Sequence, residues 1–345
     1  MNSRVIKCVA GAGKTRWSKD YIKTNGNGLY LAFTNSVVDE LSSCGVISRT
    51  IDSLFIGFLL PKLVSTIPLI AKGSSIEYLN IADNTSPIIK NIGKIHIDDD
   101  GKIYSGSKEV PITLDTPNTE FHRMRDFPNS LSLKKVFEKD QTNLTDKLRE
   151  DLMLYLINKH SDTIISFIGK RFDYVIFDEA QDLGGGKEEF AKLMYDSNIH
   201  TVFLGDDDQK IMPSSGNWFE GIQADEKRNH SYRCPEDNCR WIRKSLDIDI
   251  YGDENKIGGV ESVGLENLKA LDDGKRVLLY HSRKGKITEI IDGWSGPKST
   301  IASSKGSTID CDIIIVGKTL NRRSYYVAVT RTTKKVYTTI EGINN

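Results

Sequence analysis

The sequence predicts an α/β protein built on parallel β-sheets, and two observations support this prediction. Short apolar runs that are typical of buried strands alternate with helical patterns along the chain, which favours parallel strands joined through helices. One apolar run ends in a glycine-rich turn, and another ends in a cluster of acidic residues. Because ligands of such sheets bind at the carboxyl ends of the strands, these two features are the first candidates for a functional site.

The predicted strands follow the apolar runs in order. A run at 4–10 leads through the glycine-rich turn into a helix at 14–21, which is the order that a phosphate-binding loop requires. Further strands are predicted at 28–33, 174–177, 201–204, 276–280 and 312–316.

Two stretches differ from the rest of the chain in composition and in predicted secondary structure. Residues 55–170 contain apolar segments with proline, a hairpin-like part at 94–110 and a helical pattern at 130–168. We expect them to form an insertion in the first sheet domain. Residues 247–273 are rich in Gly, Asp and Glu and are predicted to form loops and turns.

Length and composition limit the classes of protein that fit. The chain has 345 residues, which is long enough for two domains. Hydrophobic residues make up 38% and charged residues 27%, as in an ordinary folded, soluble protein. Lys plus Arg and Asp plus Glu both number 47. No global positive field therefore attracts nucleic acid, and any nucleic-acid site must be a local groove.

The sequence shows no membrane-spanning pattern. The most apolar stretch, 55–71, is interrupted by Pro61, Lys62 and Pro68 and is shorter than the roughly 20 residues of a spanning helix. The N-terminus lacks the pattern of a signal peptide. The five cysteines have no zinc-like spacing and are expected to be reduced thiols. We therefore expect no membrane segment and a cytoplasmic location.

The segment Cys8-Val-Ala-Gly-Ala-Gly-Lys-Thr15 has the Gly-Lys-Thr ending of a Walker A loop. In such a loop, backbone N–H groups and a helix N-terminus cradle phosphates. Lys14 would reach the β- and γ-phosphates, and Thr15 would ligate Mg²⁺. Cys8 stands where the strict pattern has its first glycine, so a chance glycine-rich turn is the alternative interpretation. The strand before the turn and the helix after it favour a phosphate loop.

The acidic segment Phe177-Asp-Glu-Ala-Gln-Asp182 follows an apolar strand, which predicts that its acids lie at the carboxyl edge of the sheet. Asp178 would hold Mg²⁺, and Glu179 would activate the attacking water. The alternative is an acidic turn that caps the next helix, and this suits Asp182 better than Asp178 or Glu179. Together, the loop and the acids predict a P-loop nucleotide hydrolase.

Further motifs follow in a fixed order, and with them the sequence resembles the UvrD/Rep helicase family. The acidic segment resembles that family's motif II, and Leu204-Gly-Asp-Asp-Asp-Gln209 resembles motif III. The other likenesses are Ala32-Phe-Thr-Asn-Ser36 to motif Ia, Thr50-Ile-Asp-Ser53 to Ib, Ser231-Tyr-Arg-Cys234 to IV, Ser304-Lys-Gly306 to V and Tyr326-Val-Ala-Val-Thr-Arg331 to VI. The resemblance therefore covers nearly the whole chain.

The resemblance implies two RecA-like domains with ATP and Mg²⁺ between them. The first domain is expected at 1–54 and 171–219, with an inserted accessory subdomain at 55–170, and the second at 220–345. The hairpin of the insertion is a candidate duplex-separating element by its position. The segment 233–304 has too few residues for both a RecA-like core and the family's second, large accessory subdomain, which we expect to be missing.

The resemblance also assigns roles to single residues. The catalytic set is Lys14, Asp178, Glu179, Gln209, Arg233 and Arg331. The nucleotide-binding set is Gly11, Ala12, Gly13, Lys14, Thr15, Arg16 and Tyr232, and the metal ligands are Thr15 and Asp178. Within these sets, Gln209 contacts the γ-phosphate, Tyr232 stacks on adenine, and Arg233 and Arg331 act as arginine fingers. A solvated helix-end cation is the alternative for Arg331, and a packing aromatic is the alternative for Tyr232.

A second set of residues is assigned to single-stranded nucleic acid by the same resemblance. Its members are Phe33, Thr34, Asn35, Ser53, Trp218 and Thr308. Aromatic side chains in such a track stack on bases without reading their sequence. Core packing is the alternative for Phe33 and for Trp218. The expected partner is single-stranded DNA or a tailed duplex, RNA is not excluded, and replication or repair proteins are further candidate partners.

The sequence departs from the family pattern at several points. No glutamine precedes Cys8, although the family reads adenine with a glutamine motif there, so base selectivity stays open. Asp52 and Ala302 stand where histidines are usual.

The predicted function is an ATP-dependent helicase or translocase on single-stranded DNA, with 3′-to-5′ movement favoured by resemblance and unwinding expected. Three alternatives stay open. They are a DNA-stimulated translocase without unwinding, a nucleic-acid-binding module with a weak ATP site, and a P-loop kinase or nucleotide-binding regulator.

Overall fold

The computed structural model describes residues 2–59, 63, 95–97, 102–105, 108–113, 146–212 and 215–344. The chain divides into two compact units. The first comprises Met1–Ser3, Ile22–Asp178 and Leu183–Val202, and the second comprises Arg4–Tyr21, Glu179–Asp182 and Phe203–Asn345. The glycine-rich turn is thus grouped with the C-terminal half of the chain. The domain boundaries expected from the sequence stay a prediction.

The strands in the described residues are, in chain order, β1 Ser3–Cys8, β2 Gly28–Ala32, β3 Ser48–Thr50, β4 Ile95–Ile97, β5 Lys102–Ser105, β6 Lys108–Thr113, β7 Tyr174–Phe177, β8 His200–Gly205, β9 Glu226–Arg228, β10 His230–Pro235, β11 Tyr251–Asp253, β12 Val260–Ser262, β13 Val277–Tyr280, β14 Lys298–Thr300, β15 Ile313–Val316, β16 Thr319–Asn321, β17 Val336–Thr338 and β18 Gly342–Asn344.

The helices in the same residues are α1 Lys14–Asn25, α2 Asn35–Ser43, α3 Ile51–Leu54, α4 Asp146–Gly169, α5 Gly186–Asp196, α6 Trp218–Gly221, α7 Glu236–Leu246, α8 Lys286–Gly293, α9 Ile301–Ser304 and α10 Arg322–Val329. A π-helical turn spans Phe55–Leu59, and 3₁₀ turns span Ala180–Asp182, Asp207–Gln209 and Leu265–Leu271.

The first unit is built around the parallel strands β3, β2 and β7. Tyr30 of β2 lies opposite Ser48 on one side and Ile176 on the other. Every residue of β2 and β7 is buried, as expected of strands that are covered on both faces. On one face, the ring of Phe190 from α5 packs edge-on against Phe55, with 4.7 Å between ring centroids. The aromatic core of this unit therefore joins the strands to α5 and to the π-helical turn.

The insertion is described only in part. Strand β5 pairs antiparallel with β4 on one side and with β6 on the other, so the strands of the predicted hairpin are confirmed. The tip of the hairpin and most of 55–145 lie outside the described residues. The helical pattern predicted to end at 168 corresponds to α4, in which His160 has non-helical backbone angles that mark a kink.

The second unit contains a five-stranded parallel sheet with the order β12-β17-β15-β13-β14. Strand β15 reads Ile-Ile-Ile-Val and is fully buried, because helices cover both faces of a parallel sheet. A hydrophobic cluster forms on one side of it from Leu268, Leu278, Ile291, Trp294, Ile314 and Val316. In the same unit, β1 pairs parallel with β9. The α/β class with parallel sheets is therefore confirmed.

The interpretation of 247–273 as loops and turns was wrong in part. Strand β12 lies in this stretch and forms an edge of the five-stranded sheet through parallel pairing with β17, and Leu265–Leu271 forms a 3₁₀ helix. Three polar or partly exposed residues, Val-Glu-Ser, give no apolar run that a sequence pattern would detect. This segment is a strand because its backbone pairs with the neighbouring strand β17.

Within the part of the chain that the structure describes, no helix is both long enough and apolar enough to cross a lipid bilayer.

The hydrophobic cluster of the second unit gives a stability prediction. Ile314 is fully buried, so Ile314→Ala leaves a cavity and should lower the free energy of unfolding by about 2–5 kcal/mol. Ile257 is 79% exposed, and Ile257→Ala should change it by no more than about 0.5 kcal/mol. Urea unfolding followed by circular dichroism measures both. Equal losses in the two variants would contradict the described core.

Candidate functional site

The glycine-rich turn has the backbone geometry of a phosphate loop. It follows β1 and leads directly into α1, and Gly11 and Gly13 have positive φ angles of 74° and 78°. Glycine adopts this region without the steric cost that other residues carry. The Tyr232 N–H donates to the Gly11 carbonyl oxygen at 3.0 Å, which joins the turn to β10. Successive N–H groups in such a turn form a concave anion site.

Gly11 also needs to be glycine for reasons of space. A Cβ atom at this position would lie 2.6 Å from the Ser231 Oγ and 2.7 Å from the Arg233 Cβ. The turn and β10 therefore approach each other more closely than side chains would allow. This contact brings the Arg233 side chain next to the phosphate loop.

A cavity of about 390 Å³ lies beside the turn, and all of its lining residues belong to the second unit. They are Gly11, Ala12, Gly13, Lys14, Thr15, Arg16, Glu179, Gln209, Tyr232, Arg233, Lys256, Gly306, Thr308, Arg331 and Thr333. Five of these side chains are cationic, and Glu179 is the acidic one. Such an excess of positive charge at a helix N-terminus fits a polyphosphate anion.

Glu179 occupies a strained backbone position at the edge of this cavity. Its φ angle is 50°, which is uncommon for a residue other than glycine and occurs often at functional sites. Its carboxylate pairs with the Lys14 Nζ at 3.3 Å and accepts a hydrogen bond of 2.6 Å from the Gln181 Nε2. Burial alone would raise the pKa of Glu179, but the charges of Lys14 and Lys305 outweigh burial and lower the pKa to about 2.

Arg331 is an almost completely buried cation, with 1% of its surface exposed. Its Nε donates to the Val327 carbonyl oxygen at 2.9 Å, and its Nη2 donates to the Gln209 Oε1 at 3.0 Å. Burial, and then repulsion from Arg233, lower the pKa of Arg331 to about 10. Burial also lowers the pKa of Arg233. Two partly desolvated guanidinium groups beside one cavity favour an anionic ligand that compensates their charge.

A lysine outside the cavity lining connects three of the sequence motifs. The Lys305 Nζ donates to both Asp182 carboxylate oxygens, at 2.7 and 2.5 Å, and to the Gln209 carbonyl oxygen at 2.6 Å. Burial raises the pKa of Asp182 to about 6, although Lys305 acts in the opposite direction. The ammonium group thereby fixes the backbone of Gln209 next to the acidic segment.

The cavity brings together most of the residues that the sequence assigned to nucleotide binding and catalysis. All seven of the nucleotide-binding residues line it, as do Glu179, Gln209, Arg233 and Arg331. Asp178 is different, because it belongs to the first unit, where it is buried and its N–H donates to the Leu31 carbonyl oxygen at 3.0 Å. Its role as a metal ligand stays a prediction, and so do the other assigned roles.

The residues assigned to nucleic acid do not form one group in the structure. Phe33, Thr34, Asn35 and Ser53 belong to the first unit, where the Lys187 Nζ lies 5.6 Å from the centroid of the Phe33 ring. In the second unit, the Trp218 ring packs edge-on against the buried Phe203. Thr308 lines the cavity beside the phosphate loop. A contact with nucleic acid stays a prediction for each of the six.

Sequence reasoning missed several residues of the site. Lys256 and Thr333 line the cavity but lie outside every recognised motif, so no sequence signal could have found them. Lys256 donates to the carbonyl oxygens of Tyr232 and Arg233 and so holds the strand that carries both side chains. Asp206 and Tyr326 lie within the segments that resemble motifs III and VI, but the resemblance assigned no role to either residue.

The side chains near the cavity can be compared with the oxygen ligands that Mg²⁺ requires. Among the described residues there is no group of three or more His, Cys, Asp or Glu side chains placed to hold a metal ion. Nucleotide-bound Mg²⁺ needs few protein ligands, because phosphates and water supply most of its oxygens. Thr15 lines the cavity and has a hydroxyl oxygen, so the residues fit a metal that arrives with the nucleotide.

The fold and this site define a class. Parallel sheets with a glycine-rich strand–loop–helix segment, a lysine at the loop's end and an acidic residue facing that lysine are typical of P-loop nucleotide-binding proteins. Residues 120–227 match the family model of the UvrD/REP helicase N-terminal domain. The match covers less than half of the chain.

The solved structures to which the chain is similar include helicases of arteriviruses. The chain is 14% identical to the PRRSV helicase, with a TM-score of 0.43, and the alignment covers 98% of this chain and 52% of that one. It is 12% identical to an arterivirus nonstructural protein 10 (helicase), with a TM-score of 0.45 and coverage of 97% and 59%. A DNA complex of such a helicase is 14% identical, with a TM-score of 0.45 and coverage of 97% and 60%.

The chain therefore spans between half and three-fifths of the length of these viral helicase structures. No curated protein sequence matches the chain.

The close approach of the turn to β10 gives a binding prediction. Gly11→Ala introduces a Cβ against Ser231 and Arg233 at a positive φ, so it should weaken binding of a fluorescent ATP analogue at least about tenfold, an effect of about 1.4 kcal/mol. Gly26 has a similar φ of 86° with nothing within 4 Å of an added Cβ. Gly26→Ala therefore carries the backbone strain without the contact, and its affinity should equal that of the unaltered chain. Equal weakening in both variants would contradict the predicted role of the turn.

Proposed function

We propose that this chain is a nucleoside-triphosphate-driven motor on nucleic acid, with ATP as its fuel and a single strand of DNA as its track. The observation that carries the proposal is the lining of one cavity by Lys14, Glu179, Gln209, Arg233 and Arg331. These groups supply what phosphoryl transfer needs, which is anion binding, a base for water and positive charge at the γ-phosphate. The match of residues 120–227 to the UvrD/REP helicase N-terminal domain supports the same conclusion.

The phosphate chain of the nucleotide would lie along the glycine-rich turn. The backbone N–H groups at 11–15 and the Lys14 ammonium would bind its oxygens. Tyr232 is 67% exposed, and its ring lies 3.6 Å from the position of a Cβ on Gly13, so a flat face beside the loop is available for the base. Thr15 and Asp178 are the proposed Mg²⁺ ligands, and the bound ion would neutralise charge on the β- and γ-phosphates.

Glu179 is the proposed base for the attacking water. In the described structure its carboxylate is paired with Lys14, and a carboxylate held at so low a pKa accepts protons weakly. When the phosphates of a nucleotide engage Lys14, that stabilisation of the carboxylate decreases and its basicity rises. The Lys14–Glu179 ion pair would therefore keep the site inactive until nucleotide binds.

Arg233 and Arg331 are the proposed stabilisers of the charge that develops on the γ-phosphoryl oxygens. A guanidinium group is permanently charged and offers a fixed fork of donors. Arg331 is already oriented through the Val327 carbonyl oxygen and the Gln209 amide, so little reorganisation is required when the charge appears. Gln209 would transmit the presence of the γ-phosphate to Arg331.

For the track, we propose a single strand that contacts Phe33, Thr34, Asn35 and Ser53. Thr34 and Asn35 are exposed at the start of α2, where polar side chains and N–H groups suit phosphate contacts. One arterivirus helicase has been solved with DNA, which supports DNA as the first substrate to test. Cycles of nucleotide binding and hydrolysis would move the chain along the strand, and duplex would be unwound ahead of it.

The deciding experiment measures ATP hydrolysis and strand displacement together on tailed DNA and RNA duplexes of both polarities. We expect hydrolysis that single-stranded DNA stimulates, and displacement of one polarity. Glu179→Gln should lower kcat at least about 100-fold while nucleotide still binds, since a positioned base contributes roughly 10²–10⁴. The control is Glu261→Gln, which alters an exposed carboxylate paired with Lys335.

Each result of this experiment has a defined meaning. If ATP is hydrolysed but no strand is displaced from any of the duplexes, the chain would be a translocase and the proposed unwinding would be contradicted. Hydrolysis that ignores nucleic acid would contradict a motor altogether. Turnover in Glu179→Gln equal to that of Glu261→Gln would contradict the assignment of the base.

Arg331 gives a separate prediction. Arg331→Lys keeps a positive charge but places all its donors on one nitrogen, whereas the guanidinium reaches Val327 and Gln209 from two separate nitrogens, so kcat should fall by about 10³ or more. Arg283 forms an exposed pair with Asp292, and Arg283→Lys should leave kcat unchanged. Steady-state hydrolysis with saturating single-stranded DNA measures both variants. A kcat within a few-fold of the unaltered chain in Arg331→Lys would contradict the proposed role.

A further inference from the structure

A buried tyrosine hydroxyl connects the phosphate loop to the third motif. Tyr326 lies in α10 and is fully buried. Its hydroxyl oxygen accepts a hydrogen bond of 2.9 Å from the Ala10 N–H, in the phosphate loop, and its O–H donates to the Asp206 Oδ2 at 3.0 Å. One O–H group thus joins the loop that would bind phosphates to the segment that ends in Gln209.

Asp206 in turn fixes two amide side chains. Its Oδ2 accepts a hydrogen bond of 2.6 Å from the Gln209 Nε2, while the Gln209 Oε1 accepts from the Arg331 Nη2. Its backbone N–H donates to the Gln181 Oε1 at 2.9 Å, while the Gln181 Nε2 donates to Glu179. Gln209 and Gln181 therefore bridge from Asp206 to the proposed arginine finger and to the proposed base.

The chemistry of these partners allows each amide a single orientation. A carboxylate only accepts hydrogen bonds, and a guanidinium or backbone N–H only donates them. With Asp206 ionised, the Gln209 amide must turn its NH₂ to Asp206 and its oxygen to Arg331. If Asp206 were protonated or displaced, the reversed amide would also find partners, and the Arg331 Nη2 would lose its Gln209 acceptor while it keeps the Thr330 Oγ1 at 3.2 Å. The position and charge of Asp206 thus contribute to the orientation of Arg331.

We propose that Tyr326 is a positioning residue for nucleotide hydrolysis, whose hydroxyl holds Asp206 so that Gln209 and Arg331 are correctly aligned when the phosphate loop is occupied. The inference rests on the proposed function, because it needs a hydrolysis step to act on. It goes beyond that function, since Tyr326 does not line the cavity and would act without contacting the nucleotide. Its effect passes through Asp206.

The ionisation of Asp206 supplies a readout of this role. Burial raises the pKa of Asp206 to about 6, Lys14 and the hydrogen bonds from Gln209 and Tyr326 oppose the rise, and Asp208 adds to it. Burial and the charge of Asp206 raise the pKa of Tyr326 well above its usual value, so its O–H stays a donor at neutral pH. Removing that O–H removes a donor to the ionised carboxylate and must raise the pKa of Asp206 further.

The adjacent tyrosine provides a matched control. Tyr325 is also buried, and its hydroxyl donates to the Thr338 Oγ1 at 2.9 Å, away from the phosphate loop. Tyr326→Phe and Tyr325→Phe each remove one buried hydroxyl from neighbouring positions of the same helix. Any general effect of losing such a group on the stability of α10 should appear in both variants.

The experiment measures nucleotide hydrolysis of the full chain and both variants between pH 5 and 9. For Tyr326→Phe we expect kcat to fall about tenfold, as for a lost hydrogen bond to a charged group, with KM within about twofold. Its acid limb should move to higher pH. Tyr325→Phe should match the unaltered chain in kcat and in pH profile.

The outcomes separate this inference from the function on which it rests. An unaltered chain without hydrolysis would overturn the proposed function. An active chain with identical kcat and pH profiles in the two variants would overturn the role of Tyr326 alone, and so would a change in KM only. If Tyr326→Phe fails to fold, Asp206→Asn decides, because it removes the charge at constant shape. It should lower kcat and change the acid limb, because Asp206 no longer titrates, and an unchanged profile would overturn the inference.

Discussion

The site depends on one electrostatic constraint, which is the gathering of cations around a cavity that offers them little negative charge. Lys14, Arg233 and Arg331 are withdrawn from water by the second unit, and Glu179 supplies the one carboxylate among the lining residues. Loss of hydration lowers the pKa of both arginines, and repulsion from Arg233 lowers the pKa of Arg331 further. In the proposed function, a bound polyphosphate would compensate these charges and stabilise the arrangement.

Hydrogen-bond polarity gives the site its order. Groups that only donate alternate with groups that only accept, and the two glutamine amides stand between them at Gln181 and Gln209. An amide between a carboxylate and a guanidinium has one satisfied orientation. The hydrogen-bond network therefore fixes the positions of these side chains. A cluster of charges without hydrogen bonds would fix only the electrostatic potential of the cavity. A fully satisfied buried network is also rigid, which suits a site that must be organised before charge develops.

Much of the fold could be predicted from the sequence. Apolar runs predict buried strands such as Tyr174–Phe177, and the glycine-rich segment predicts the loop between β1 and α1. The edge strand Val260–Ser262 could not be found, because backbone pairing rather than side-chain burial makes it a strand. In the site, spacing within motifs identified the charged groups. It could not identify Lys256, whose place beside β10 comes from tertiary contacts between distant parts of the chain.

The end of α10 carries a consequence for how this site tolerates change. Arg331 follows the last turn of that helix, and its Nε donates to the Val327 carbonyl oxygen, one of the acceptors that a helix leaves unpaired at its C-terminus. The guanidinium thus caps the C-terminus of the helix together with the Thr330 hydroxyl, which donates to the same oxygen at 3.1 Å, and the backbone dipole there also favours positive charge. In the proposed function, anion recognition and helix capping share one side chain, so a substitution of Arg331 would alter both at once.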